Sequence, residues 1–239
     1  MRFIVFINLI CILTFYGCSS QHSYKAQMLY NKGNSSFDQE NYKVAIKNYD
    51  KAIDLDTTLV DAYFQRGLAR YYLGEYDESI KDFDVCIKLN PKDAEAYHNR
   101  GLNKWSLKEF LYAMEDINKA IEIDPANSNA YNSRGRLKAQ MGFQLEAIKD
   151  FNKSTELEPN APFPYSNRGN SYQILQKYED AIAEYNKALE IEPDIPEAYH
   201  GRGLAKEGLK DLKGACEDWQ KALEFGYERA RKHINEKCK

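Results

Sequence analysis

The sequence predicts an all-α chain: six helical hairpins joined head to tail over residues 26–229, closed by a short C-terminal helix. Three observations carry this. Glycines recur every 34 residues without insertion, at Gly33, Gly67, Gly101, Gly135, Gly169 and Gly203. A tyrosine stands four residues before five of them (Tyr63, Tyr97, Tyr131, Tyr165, Tyr199), with Leu29 in the first copy. A proline follows 24 residues after four of them, at Pro91, Pro125, Pro159 and Pro193.

Taken from the N-terminus, residues 1–17 read as an export signal. Arg2 precedes a nearly unbroken apolar run from Phe3 to Tyr16. The run falls short of the roughly 20 apolar residues of a membrane span. Removal is therefore the first reading and an uncleaved anchor the second. The junction Gly17-Cys18-Ser19-Ser20 resembles the lipobox of bacterial lipoproteins, although Phe15 and Tyr16 stand where smaller or aliphatic residues are usual. The resemblance implies that Cys18 is lipidated, with 18–25 as a linker. It also implies a bacterial envelope location, on the outer membrane facing the periplasm. An ordinary cleavage site beside an unrelated cysteine is the alternative.

The hairpins follow as copies 26–59, 60–93, 94–127, 128–161, 162–195 and 196–229. In the second half of a copy, apolar residues fall three and four apart, as in Tyr178, Ala181, Ile182, Tyr185, Ala188 and Leu189, one stripe of an amphipathic helix. The proline after it cannot continue the helix. A short break near Gly74 or Gly142 separates the two helices. Six mid-helix glycines cost on the order of 6 kcal/mol relative to alanine, and close packing must offset this. Small residues at Ala45, Ser79, Ala113, Ala147, Ala181 and Ala215 let two backbones approach, with Tyr49, Phe83, Phe151, Tyr185 and Trp219 filling the space beside them and Ile117 as the exception.

This order of aromatic, glycine, alanine, aromatic and proline over 34 residues resembles the tetratricopeptide repeat. The resemblance covers residues 26–229, with Phe143-Gln144, Thr57 and Tyr227 as local departures. It implies a right-handed α-solenoid whose first helices line a concave groove that holds a protein or peptide partner. On that geometry the inward positions are aromatic in copies one to three: Tyr30, Phe37, Phe64, Leu68, Tyr71, Tyr72, His98, Leu102 and Trp105. In copies four and five they are mostly polar: Asn132, Arg136, Gln140, Ser166, Asn170 and Gln173. Binding is expected on copies two and three. The competing reading packs several of these rings between hairpins.

Arg66, Arg100, Arg134, Arg168 and Arg202 precede five of the glycines, and an acid lies 16 residues after each: Asp82, Asp116, Asp150, Glu184 and Asp218. In copy one both change together, to Lys32 and Asn48. The pairing predicts structural cross-helix ion pairs rather than an anion receptor. Cys216 and Cys238 are within reach of a disulfide if residues 230–239 fold back as a capping helix; two free thiols are the alternative. Cys86 stands where other copies carry Ala or Ser.

The charge balance, 33 Lys plus Arg against 36 Asp plus Glu, contains no basic run for nucleic acid. His22, His98, His200 and His233 have no companions at ligand spacing and read as surface or groove residues, so no metal or cofactor is expected. No nucleophile motif appears, and too little chain remains outside the repeats for a catalytic domain. The expectation is a non-catalytic, membrane-tethered scaffold. Receptor for a glycan and plain structural spacer are the alternatives.

Overall fold

The computed structural model describes residues 23–238, and among these it contains thirteen helices and no strand. Two compact units divide the chain, one up to Ile123 and one from Asp124. The first holds α1 (23–38), α2 (Tyr42–Leu55), α3 (Val60–Tyr72), α4 (Tyr76–Leu89), α5 (Ala94–Ser106) and α6 (Phe110–Ile123). The second holds α7 (Ser128–Gln140), α8 (Gln144–Leu157), α9 (Pro162–Ile174), α10 (Tyr178–Ile191), α11 (Pro196–Gly208), α12 (Leu212–Glu224) and α13 (Ala230–Lys237). The proposed signal and Cys18 lie outside the described residues. Helix α1 is already formed at residue 23, inside the segment expected as linker. Tyr24, Lys25, Ala26 and Gln27 contain no breaker, so nothing in the sequence stops the helix there.

Within each unit, consecutive helices pair as hairpins and each hairpin packs on the next. The glycine positions explain the closeness. A Cβ at Gly135 would lie 2.6 Å from the Phe151 ring, and one at Gly169 would lie 3.0 Å from Tyr185. The facing Ala45, Ser79, Ala113, Ala147, Ala181 and Ala215 are fully buried, as are Tyr49, Phe83, Ile117, Tyr185 and Trp219. Each unit thus has an interior built from repeats of one ring against one bare backbone.

Local chemistry sets the ends of the helices. Asp93 and Asn127 accept from the backbone N–H of Ala96 and Ala130, capping α5 and α7, and prolines open α9 and α11. Between copies one and two, Asp56 accepts from the N–H of Thr58 at 2.9 Å. The same side-chain turn forms around Pro91 and Pro125, where Asn90 and Asp124 accept from the N–H of Lys92 and Ala126, so the turn persists at Thr57 without the proline. Inside the hairpins the tight turn needs a left-handed residue. Glycine supplies it at Gly74 and Gly142, whereas Glu40, Lys108, Gln176 and Lys210 adopt positive φ themselves.

Candidate functional site: an amide-lined groove beside an arginine ladder

The nine residues expected on the inward face of the first unit separate into three groups. Phe64 meets Phe83 edge to face at 5.5 Å, and with Leu68 it packs against Phe83, Cys86 and Ala96. Tyr30 packs against Tyr49, with ring centres 6.0 Å apart. These side chains help join one hairpin to the next. Phe37, Tyr71 and Tyr72 form a ledge with Tyr42 and Tyr76: Tyr42 and Tyr72 stack at 5.0 Å, while Phe37 and Tyr71 meet Tyr72 edge-on. Tyr72 is 58 % exposed, yet one ring face is covered by Tyr42. His98, Leu102 and Trp105 lie half-buried on α5, and burial lowers the His98 pKa to about 4. His200 and His233 are also half-buried, with ring centres 5.2 Å apart and His233 stacked on Trp219. None of these three histidines is fully exposed: His200 and His233 meet where α13 packs on α12, and α5 is packed against α4 and α6.

The arginines stand where the repeat places them. Arg66, Arg100, Arg134, Arg168 and Arg202 reach Asp82, Asp116, Asp150, Glu184 and Asp218 at 2.6–2.7 Å. Each guanidinium also lies over the tyrosine three residues earlier, at 5.2–5.4 Å from the ring centre. Two further sets of partners lie outside the pairing read from the sequence. The buried aspartates take a second cation from one turn on, namely Arg70, Lys104, Lys138 and Lys206. In the copy where tyrosine (Tyr172) replaces that cation, the acid is the longer Glu184. Four arginines, moreover, reach back 16 residues into the preceding hairpin: Arg66 to Asp50, Arg100 to Asp84, Arg168 to Asn152 and Arg202 to Asn186, at 2.6–2.7 Å. The period of 34 contains this signal, but only a comparison across copy boundaries exposes it.

Cys216 and Cys238 are joined as a disulfide, which ties the end of α13 to the start of α12. Cys86 is buried and free, and desolvation pushes its thiol up to about 12.

The second unit holds a cavity of about 460 Å³ along the first helices of its hairpins, lined by Asn132, Arg136, Phe163, Ser166, Asn167, Asn170, Ile195 and Glu197. Hydrogen bonds to their oxygens orient two of its amides. The buried Tyr185 hydroxyl donates to Asn170 Oδ1 at 2.6 Å, and Asn167 Nδ2 donates to Asn132 Oδ1 at 3.0 Å. The N–H groups of Asn132 and Asn170 are then left to the groove. Phe163, 57 % exposed, adds an open ring. The sequence reading placed Asn132, Arg136, Ser166 and Asn170 on the inner face but gave binding to the aromatic copies. Phe163 lies off the repeat's inward positions and was passed over.

Matches to the models for TPR repeat, at residues 33–74, 67–107 and 169–210, and for tetratricopeptide repeat, at 94–127 and 128–161, together cover more than half of the chain. The chain belongs to the tetratricopeptide repeat family. No curated protein sequence matches it significantly. Among solved structures it is similar to Pseudomonas aeruginosa pilF, at 15% identity over 89% of this chain and 99% of that one, with a TM-score of 0.75. A tetratricopeptide repeat protein from Parabacteroides merdae aligns at 23% identity over 90% and 84%, with a TM-score of 0.71. YrrB, described as a TPR protein with an unusual peptide-binding site, aligns at 24% identity over 73% and 90%, with a TM-score of 0.57. At these identities the likeness is one of fold. Tetratricopeptide repeats generally mediate protein–protein interaction and are typically non-catalytic scaffolds. Among the described residues, no group of three or more His, Cys, Asp or Glu is placed to hold a metal ion, and no helix is long and apolar enough to cross a membrane.

Proposed function

We propose that this protein is a membrane-tethered scaffold of the bacterial envelope that grips an extended segment of a partner protein in the groove of its second unit. The observation that carries this reading is the row of oriented amides. The oxygens of Asn132 and Asn170 are engaged by Asn167 and Tyr185, so the two side chains offer N–H groups to the carbonyls of a bound main chain. Phe163 supplies an apolar contact and Arg136 and Glu197 line the same cavity. Rigid helices hold these groups in place, which limits the ordering entropy lost on binding.

The tether is read from the apolar run before Gly17-Cys18, and it puts the repeats outside the inner membrane, with the outer membrane and periplasm as their setting. A glycan receptor is less well supported. The most exposed ring of the tyrosine ledge, Tyr72, stacks on its neighbour and keeps no more than one face for a sugar.

Two measurements test the reading. Metabolic labelling with a radioactive fatty acid should mark the wild-type chain and leave Cys18→Ser unlabelled; equal labelling removes the tether. Crosslinking mass spectrometry on native envelopes should find a partner peptide attached near Asn170 and Phe163. A Phe163→Ala, Asn170→Ala variant that stays folded and retains those crosslinks overturns the groove assignment.

A further inference from the structure

The rings of the tyrosine ledge all belong to the first unit, on hairpins one and two. The repeat fold does not require them. Copy five has Gln173, Ile174 and Tyr178 at the places of Tyr71, Tyr72 and Tyr76, and its hairpin forms as the others do. Elsewhere the chain shows what it sets against a tyrosine face: Tyr63, Tyr97, Tyr131, Tyr165 and Tyr199 each lie under an arginine guanidinium. Among the described residues no cation lies over a ring of the ledge. Arg70, next to Tyr71 in the chain, is turned instead to Asp82 and to the Glu78 carbonyl. The rim of the ledge is acidic. Asp38 and Glu40 lie at the turn of hairpin one beside Phe37 and Tyr42, and Glu75 and Asp77 flank Tyr76 at the turn of hairpin two. All four acids are exposed, and none enters an ion pair among the described residues. Against them stand Lys43 and a Lys81 already paired with Glu78. Burial, and after it the Glu40 carboxylate, raises the Tyr42 pKa, so the field of the rim reaches the rings.

We propose that the ledge is a docking site for an extended, arginine-bearing segment of a partner protein, one guanidinium lying on the open face of Tyr72 while neighbouring arginines pair with the rim carboxylates. A ring face attracts a cation through its quadrupole. The guanidinium fits best, because it is planar and less strongly hydrated than an ammonium. Tyr42 stacks on the other face of Tyr72, with interplanar angle 11°, and so holds the ring in place before the cation arrives. The uncompensated carboxylates steer a basic segment to the ledge and turn away an anionic one. This surface lies in the first unit and the amide groove in the second, so the two readings fail independently.

The probe is a short fluorescein-labelled Gly/Ser peptide carrying several arginines, titrated by anisotropy into the intact protein in detergent at low salt. Replacing its arginines with citrulline, which keeps the shape and removes the charge, should weaken binding about tenfold. Tyr72→Leu, which keeps an apolar side chain at an exposed place and removes the ring, should weaken the arginine peptide about fivefold, whereas Tyr72→Phe should bind as the wild type does. Glu40→Gln with Glu75→Gln should weaken it about threefold. That pair leaves the fold alone, since Gln176 already holds the turn position of Glu40 in copy five and the Glu75 side chain makes no capping bond. Phe163→Ala with Asn170→Ala should leave binding unchanged. Equal binding of the arginine and citrulline peptides, or full binding by the Tyr72→Leu protein or by the Glu40→Gln, Glu75→Gln protein, overturns the proposal. Loss of binding in the Phe163→Ala, Asn170→Ala protein assigns the peptide to the amide groove and also overturns it. A proline-rich peptide of the same length that binds as tightly as the arginine peptide would make the ledge a polyproline site in its place.

Discussion

A single arginine in this protein touches a tyrosine face, an aspartate of its own hairpin and an acceptor of the hairpin before it. Arg100 does all three, with Tyr97, Asp116 and Asp84. Its two ion pairs are unequal. The Asp116 side chain is 6 % exposed, whereas Asp84 is 52 % exposed. Arg100→Leu leaves Asp116 with Lys104 alone, and urea unfolding should show a loss of about 3 kcal/mol, as expected when a buried pair is broken. Asp84→Ala should cost less than about 1 kcal/mol, because water already screens that pair. Equal losses would show the burial argument to be wrong. At the hairpin turn Lys108 holds a φ of 65°. Lys108→Gly should raise stability by about 1 kcal/mol in the same assay, the relief of a left-handed side chain outweighing the extra freedom of glycine in the unfolded chain. The pairing of arginine with an acid 16 residues on was visible in the sequence because both members change together in the first copy. The backward contacts were not, since Asp50, Asp84, Asn152 and Asn186 mix charge with amide and show no fixed sign.

Helices and hairpins were legible because each carries several independent marks: a glycine, a small residue opposite, a ring and a stop. The left-handed turns were legible only where glycine fills them. At Glu40, Lys108, Gln176 and Lys210 the tertiary pairing of two helices imposes the conformation on residues with no local preference for it. The capping element has a different logic. Helix α13 is too short to hold itself in water. It is pinned by Ala230 and Ile234 against the Trp219 cluster, by an ion pair from Lys237 to Glu207 and by the disulfide. The cysteines are 22 residues apart. Cys216→Ser with Cys238→Ser should cost about 3 kcal/mol by loop-closure entropy. Hydrogen exchange in α13 should rise well before that in α11. Unchanged protection in α13 would mean that its packing suffices alone.

Across the whole molecule, acid should act on both units over one pH window. Burial holds His98 in the first unit and His200 in the second at about 4, with His233 and Arg229 also lowering His200. The ordinary value is about 6.5. The folded state therefore refuses protons that the unfolded chain accepts. The stability this represents is complete above pH 6.5 and is lost as pH falls from 6.5 to 4. Melting temperature should stay level above neutrality and drop through that interval, and His200→Gln should flatten part of the drop. A profile unaffected by that substitution would remove His200 from the account. What the sequence left least legible was the candidate site. Aromatic residues at inward positions had two uses, joining hairpins and meeting a partner, and pattern alone does not separate them. Phe64 and Leu68 went to the first use, while the asparagines gained their donor orientation from Tyr185 and Asn167, a fact of three-dimensional arrangement. The joints between successive copies carry a further corollary. Because an arginine in one copy donates equally well to an aspartate or an asparagine in the copy before it, neighbours are interchangeable: excising residues 60–93 would hand Arg100 to Asp50 in place of Asp84. Within a unit such a chain can gain or shed whole cassettes and keep its seams chemically matched, so its length can change in steps of one period while the ring-on-glycine interior of each hairpin is left as it was.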